Sequence, residues 1–210
     1  MKIDESTVGD HYYLTFPEDE CYYFSEYKSG FGYKGGDTNS LISNFKKEVS
    51  KKGTLEYRYK VEAIAKIASM LVQTLKNKNI AHYTFVPIPP SKAKNDPLYD
   101  PRLLDVLCCV SKERKLDKLS ELNIRELLFL KESMQASHTT ENRLTKNDLK
   151  KLIFVDNNQL QSTKNIILFD DVLTTGAHFK ACKELIKDKM PDCRIIGLFI
   201  ARAIRGPFSD

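Results

Sequence analysis

Residues 165–186 read NIILFDDVLTTGAHFKACKELI. The apolar run at 166–169 is short enough for a strand buried on both faces, and a helix is expected over 179–189. Between them stand two adjacent carboxylates, Asp170 and Asp171, and the turn Thr174-Thr175-Gly176. In an open α/β sheet, ligands bind outside the carboxyl ends of the strands, which is where this order places the acidic pair. Backbone N–H groups of a turn that opens a helix form a cradle for an anion. Threonine hydroxyls add donors, and Gly176 permits a positive φ or a close backbone approach. The expected ligand therefore carries a phosphate at one end and hydroxyls that the carboxylates accept.

Working outward, strands are expected at 83–88 and 194–201, and helices at 38–49, 55–76 and 103–110. Asp37 or Thr38 is the expected cap of the first helix. The prolines Pro87, Pro89 and Pro90 end the strand at 83–88, and the following SKAKNDPLYDP has loop composition. Residues 124–130 are apolar and fit either element. The polar stretch 133–151 reads as a lid or binding loop, with a linker as the other reading. The aromatic-rich segment 11–33, broken by Pro17, Gly30 and Gly32, predicts short antiparallel strands. Alternating strands and helices define an α/β class, Rossmann-like, with a central parallel sheet and helices on both faces. Residues 1–55 are expected to form a small N-terminal hood packed on a core of residues 56–210.

The chain has 210 residues, 41% hydrophobic and 29% charged, with a mean hydropathy of −0.40. This balance excludes a membrane protein and wholesale disorder. No apolar run approaches the roughly 20 residues that span a bilayer. The opening MKIDESTVGD has no apolar stretch behind its first lysine, so no secretory signal and a cytoplasmic location are expected. The net charge of +5 suits an anionic ligand without indicating nucleic acid. Five cysteines without a C-x-x-C pair predict reduced thiols and no structural zinc.

The string at 166–178 resembles the phosphoribosyl-diphosphate (PRPP) signature of type I phosphoribosyltransferases: four apolar residues, two acidic, two apolar, then T-T-G. Further segments resemble the ComF-like branch of that family. They are Glu26-Tyr27, LISNFKK, VPIPPS at 86–91, DPRLLDVL, the centre Ser133-Met134-Gln135-Ala136, and the close at 196–202 ending in Ala201-Arg202. The resemblance covers roughly 22–202; the signature is its specific part. Two departures stand out: His178 replaces a common Thr or Ser, and the metal-binding cysteines that ComF proteins often carry near their N-terminus are missing.

The resemblance implies the phosphoribosyltransferase fold and assigns roles. Thr174, Thr175, Gly176 and Ala177 would form the 5′-phosphate loop, and Asp170 and Asp171 would engage the ribose and serve catalysis; at the departure His178, two places into the helix, the ring is expected to donate to the 5′-phosphate in place of a hydroxyl. Ser91, Lys92, Ala93 and Lys94 would form the pyrophosphate loop, and Arg143, with His138 as a weaker candidate, would reach over the diphosphate. It implies Mg²⁺ bound mainly through PRPP, with no dedicated protein ligands. The expected reaction is transfer of phosphoribosyl from PRPP to an unidentified acceptor, or hydrolysis of PRPP, with pyrophosphate release. The alternative is a non-catalytic PRPP- or nucleotide-binding regulatory module acting with a DNA-processing partner. A homodimer stays open, and no membrane association is expected.

Overall fold

A computed structural model describes residues 1–134, 144–160 and 163–204. Its centre is a five-stranded, wholly parallel sheet in the order β1-β7-β6-β2-β3. These strands are β1 (Cys21–Lys28), β2 (Tyr83–Pro87), β3 (Asn123–Ile124), β6 (Asn165–Leu173) and β7 (Arg194–Ile204). A separate antiparallel pair joins β4 (Leu128–Leu130) to β5 (Ile153–Val155). The helices are α1 (Asp37–Phe45), α2 (Arg58–Leu75), α3 (Arg102–Leu116), α4 (Lys146–Leu152) and α5 (Ala177–Lys187).

Side chains alternate across the strands, so the sheet feeds two cores. Phe85, Ile167, Phe169 and Ile200 face α1, α2 and α3, where Phe45, Ile67, Leu71 and Val106 meet them. Val86, Ile166, Leu168 and Phe199 face α5, α4 and the β4–β5 pair, through Phe179, Cys182, Leu149 and Ile153. The α/β class with a parallel sheet flanked by helices is thus as the sequence leads one to expect. No helix among the described residues is long and apolar enough to cross a membrane.

Several boundaries differ from expectation for definable reasons. The aromatic segment contributes one strand, β1, and it pairs in parallel with β7. The expected antiparallel strands reduce to a single bridge between Lys2 and Tyr22. Residues 1–55 are therefore not only a hood, since β1 is an edge strand of the central sheet. Helix α1 ends at Phe45, short of the expected 49, and its N-cap is Gly36 with no side-chain cap, so neither Asp37 nor Thr38 plays that part. Its far end is closed by Lys60 of α2, almost wholly buried, which donates to Phe45 O at 3.1 Å and Lys47 O at 2.8 Å, carbonyls that the helix itself leaves unpaired. Helix α3 runs on to Leu116, and the ambiguous 124–130 divides between β3 and β4. The polar stretch 133–151 is not loop throughout: Thr145 and Asp148 form a reciprocal capping box that starts α4.

Strand β6 is longer than its apolar run. Its ladder with β2 ends where Pro87 pairs with Phe169, plus one bond from Ile88 N–H to Phe169 O at 2.9 Å. Prolines remove the donors that would extend β2, whereas β6 continues beside β7 as far as Leu173 opposite Arg202. The acidic pair therefore lies inside a strand on one side and beyond a strand end on the other.

Candidate functional site

The sheet order contains a switch point between β2 and β6. From β2 the chain moves outward through α3 to β3, and from β6 it moves the opposite way through α5 to β7, with the two helices on opposite faces. Crevices at such points open outside the carboxyl ends of both strands. A cavity of about 460 Å³ occupies this place. Asp170, Thr174, Thr175, Gly176, Ala177 and His178 line it from β6 and α5, Ser91 and Lys92 from the loop after β2, and Tyr12 and Tyr13 from the N-terminal segment.

The turn into α5 has the positive φ at Gly176 that the sequence allows. Gly176 has φ +84°, left-handed backbone that a side chain disfavours. A Cβ there would also stand 2.8 Å from Leu14 Cδ2, so the close neighbour is the protein's own leucine. Helix α5 has no side-chain cap, and of its first donors Ala177 N–H makes a 3.4 Å contact with Thr175 Oγ1. His178 faces the cavity with its Nε2 out of solvent and without a partner among the described residues. Burial holds its imidazole below the usual value, which leaves the ring neutral.

The two carboxylates have separate surroundings. Asp171, 5% exposed, is bound by Arg102 Nη2 of α3 at 2.8 Å and by Lys46 Nζ, just past α1, at 2.9 Å. Arg102 also reaches Asp100 at 2.8 Å, and Asp100 takes Lys60 at 2.7 Å. Lys60, Asp100, Arg102, Asp171 and Lys46 thus form a chain of alternating charge across α2, α3, β6 and α1. Burial opposes the charge on Asp171, but Lys46 and Arg102 outweigh it and hold the carboxyl well below the usual range. Asp170 faces the cavity and makes no ion pair among the described residues; burial and the adjacent Asp171 charge, outweighing the more distant Lys46 and Arg102, push its carboxyl up to about 7. Of the two acids expected at one ligand, Asp170 lines the cavity and Asp171 does not.

The loop after β2 also divides. Met134 N–H donates to Ser91 O at 2.8 Å, Ser133 Oγ accepts from Ala93 N–H at 3.1 Å, and Ala93 is buried. Lys92 borders the cavity with a loose 3.7 Å contact to Asp96. Lys94 turns to Glu126 at 2.9 Å and lines a neighbouring crevice of about 30 Å³, so it is not brought to the cavity. Arg143 and His138 lie outside the described residues. No group of three or more His, Cys, Asp or Glu side chains suited to a metal occurs among the described residues.

Tyr12 and Tyr13 line the cavity though no role there is expected of them, and Met134, Leu144, Thr145 and Leu149 reach it from the stretch 133–151 read as a lid or binding loop. Nothing in the sequence signals Tyr12 or Tyr13 there, while the Thr145-x-x-Asp148 spacing marks the helix start inside the polar stretch. No family model matches the chain, and no curated protein matches it.

Proposed function

We propose that the chain is a PRPP-binding protein of the phosphoribosyltransferase type, with the cavity between β2 and β6 as its site. The observation that carries this reading is the convergence there of Asp170, the uncapped start of α5 and Lys92. In it the 5′-phosphate sits against the first turn of α5, where main-chain donors and the helix dipole favour an anion. Asp170 accepts from the ribose hydroxyls, and Lys92 faces the diphosphate.

In transfer, the bond from C1 to the diphosphate oxygen breaks, and its electron pair leaves with pyrophosphate. A nitrogen lone pair of the acceptor forms the new bond to C1, and the acceptor proton passes to solvent or a base. Positive charge gathers at C1 as the bond breaks, and the Asp170 carboxylate stabilises it electrostatically once ionised. Lys92 offsets the negative charge that grows on the leaving group. The oxygen-donor character of Asp170 suits Mg²⁺ held mostly by substrate oxygens, and Mg²⁺ would supply charge neutralisation at the diphosphate.

A second reading, a PRPP- or nucleotide-binding regulatory module, has one observation in its favour. Asp171 is tied to Lys46 and Arg102, so one of the two acids is engaged in structure. Pyrophosphate release separates the readings. With PRPP, Mg²⁺ and a panel of nitrogen bases and nucleic acids, the transferase reading expects release with one acceptor, or with water alone. PRPP binding without release under any condition selects the regulatory reading.

A further inference from the structure

The segment 8–19 plays no part in the reaction as proposed, yet it lies against the turn between β6 and α5. Its anchor is Asp19, whose side chain has no solvent exposure and is paired with Lys180 and, at 2.6 Å, with Lys183 of α5. Asp19 also accepts from Thr15 N–H at 2.8 Å, and Lys183 donates to Glu18 O at 2.7 Å. Held in this way, the segment places three groups on the turn. Leu14 covers Gly176, Tyr13 N–H donates to Thr175 O at 3.0 Å, and the ring Nδ1 of His11 bonds to Thr174 O.

A carbonyl oxygen only accepts, so His11 Nδ1 carries the proton. Its Nε2 is buried with no partner among the described residues, and the ring has no solvent exposure, which fits a neutral imidazole. In a trans peptide the C=O and N–H point to opposite sides. Drawing the Thr174 and Thr175 carbonyls toward this segment therefore turns the N–H groups of Thr175 and Gly176 away from it.

We propose that residues 8–19 shape the anion cradle and that His11 is a positioning residue for it, aiming the Thr175 and Gly176 amides at a phosphate monoester in the cavity. The inference rests on the reading of that cavity as a 5′-phosphate site. Two observations independent of the helix start point to a ligand there: the cavity itself, and the Asp170 and Lys92 side chains that border it beside the turn.

The test uses ribose 5-phosphate with the full chain and two variants of equal shape, His11→Asn and His11→Leu. Asparagine offers a donor near the place of Nδ1; leucine has none. Titration calorimetry should give a dissociation constant within about threefold of the parent for His11→Asn and raised at least about tenfold for His11→Leu, with the free Thr175 and Gly176 amide resonances displaced only in the latter. Equal affinities in the two variants overturn the inference while leaving the phosphate site standing. Absence of saturable binding in the parent overturns the site and the inference together. Should His11→Leu not fold, the histidine tautomer in the parent decides: a long-range ¹H–¹⁵N spectrum at pH 7.5 is expected to show His11 protonated at Nδ1 alone, and a ring protonated at Nε2 alone overturns the role.

Discussion

Replacing Asp171 and Asp170 singly by asparagine should give opposite stability phenotypes. Asp171 is the buried centre of the charge chain, so Asp171→Asn leaves Arg102 with one partner, Asp100, and returns Lys46 to solvent. Breaking a buried pair by removing one partner costs about 3–5 kcal/mol. The lower end applies, because Asp100 keeps half of the guanidinium engaged and the Lys46 side chain is 44% exposed. For a chain of this size each kcal/mol moves Tm by about 2–4 °C, so about 3 kcal/mol lowers it by about 6–12 °C. Asp170 makes no ion pair among the described residues and its charge is disfavoured by burial and by Asp171, while its Oδ1, which asparagine retains, accepts from Asp171 N–H at 2.7 Å. Asp170→Asn should therefore keep or raise Tm at pH 8 while weakening PRPP binding. Scanning calorimetry of both variants beside the parent is the assay. A Tm for Asp171→Asn within 2 °C of the parent, or an equal fall for Asp170→Asn, would refute this division of the acidic pair.

The raised carboxyl of Asp170 also sets pH dependence. The native protein holds a proton there between the unfolded value of about 3.9 and about 7, so stability relative to Asp170→Asn should fall as pH rises through that window. PRPP affinity should rise over the same window, because ribose hydroxyls donate to the ionised form; subtracting the Asp170→Asn profile removes the ligand's own titration, and a flat difference would contradict the assignment. Gly176→Ala should cost at least about 2 kcal/mol in urea unfolding, from a left-handed residue worth about 1–2 kcal/mol and the clash with Leu14. On a Leu14→Ala background that penalty should shrink to the backbone part, and an unchanged penalty would show that Leu14 is not the obstruction. Thr145→Ala should lose about 1 kcal/mol through the capping box of α4, read by the same unfolding assay, with no loss meaning that the cap is not made in solution.

How much of this was legible in the sequence follows the range of the forces involved. The β6–α5 unit reads directly, because a buried apolar run, an acidic pair and T-T-G act over neighbouring residues. The place where β2 ends reads equally well, because each proline removes its own donor. Strand β1 was visible as a strand but not as a parallel one, since its partner β7 comes from the far end of the chain and aromatic residues carry no record of their neighbour. The division between Asp170 and Asp171 was hidden for the same reason. Arg102 stands 69 residues from Asp171 in sequence, and Lys46 stands just past α1, whose apolar pattern says nothing of a distant carboxylate. His11 gave no signal, because its role depends on a main-chain carbonyl of Thr174, which every sequence supplies. The capping box at Thr145 was readable but lay in a stretch whose polarity argued for a loop.

Amide chemical shifts followed during titration of PRPP with Mg²⁺ show whether the turn between β6 and α5 holds the ligand. Saturable shifts are expected centred on Thr175, Gly176, Ala177 and His178, with Asp170 and Lys92 affected and the remote end of α5 near Lys187 unchanged. Saturable binding that leaves the turn between β6 and α5 unperturbed, or no binding at millimolar PRPP, would contradict the proposed site.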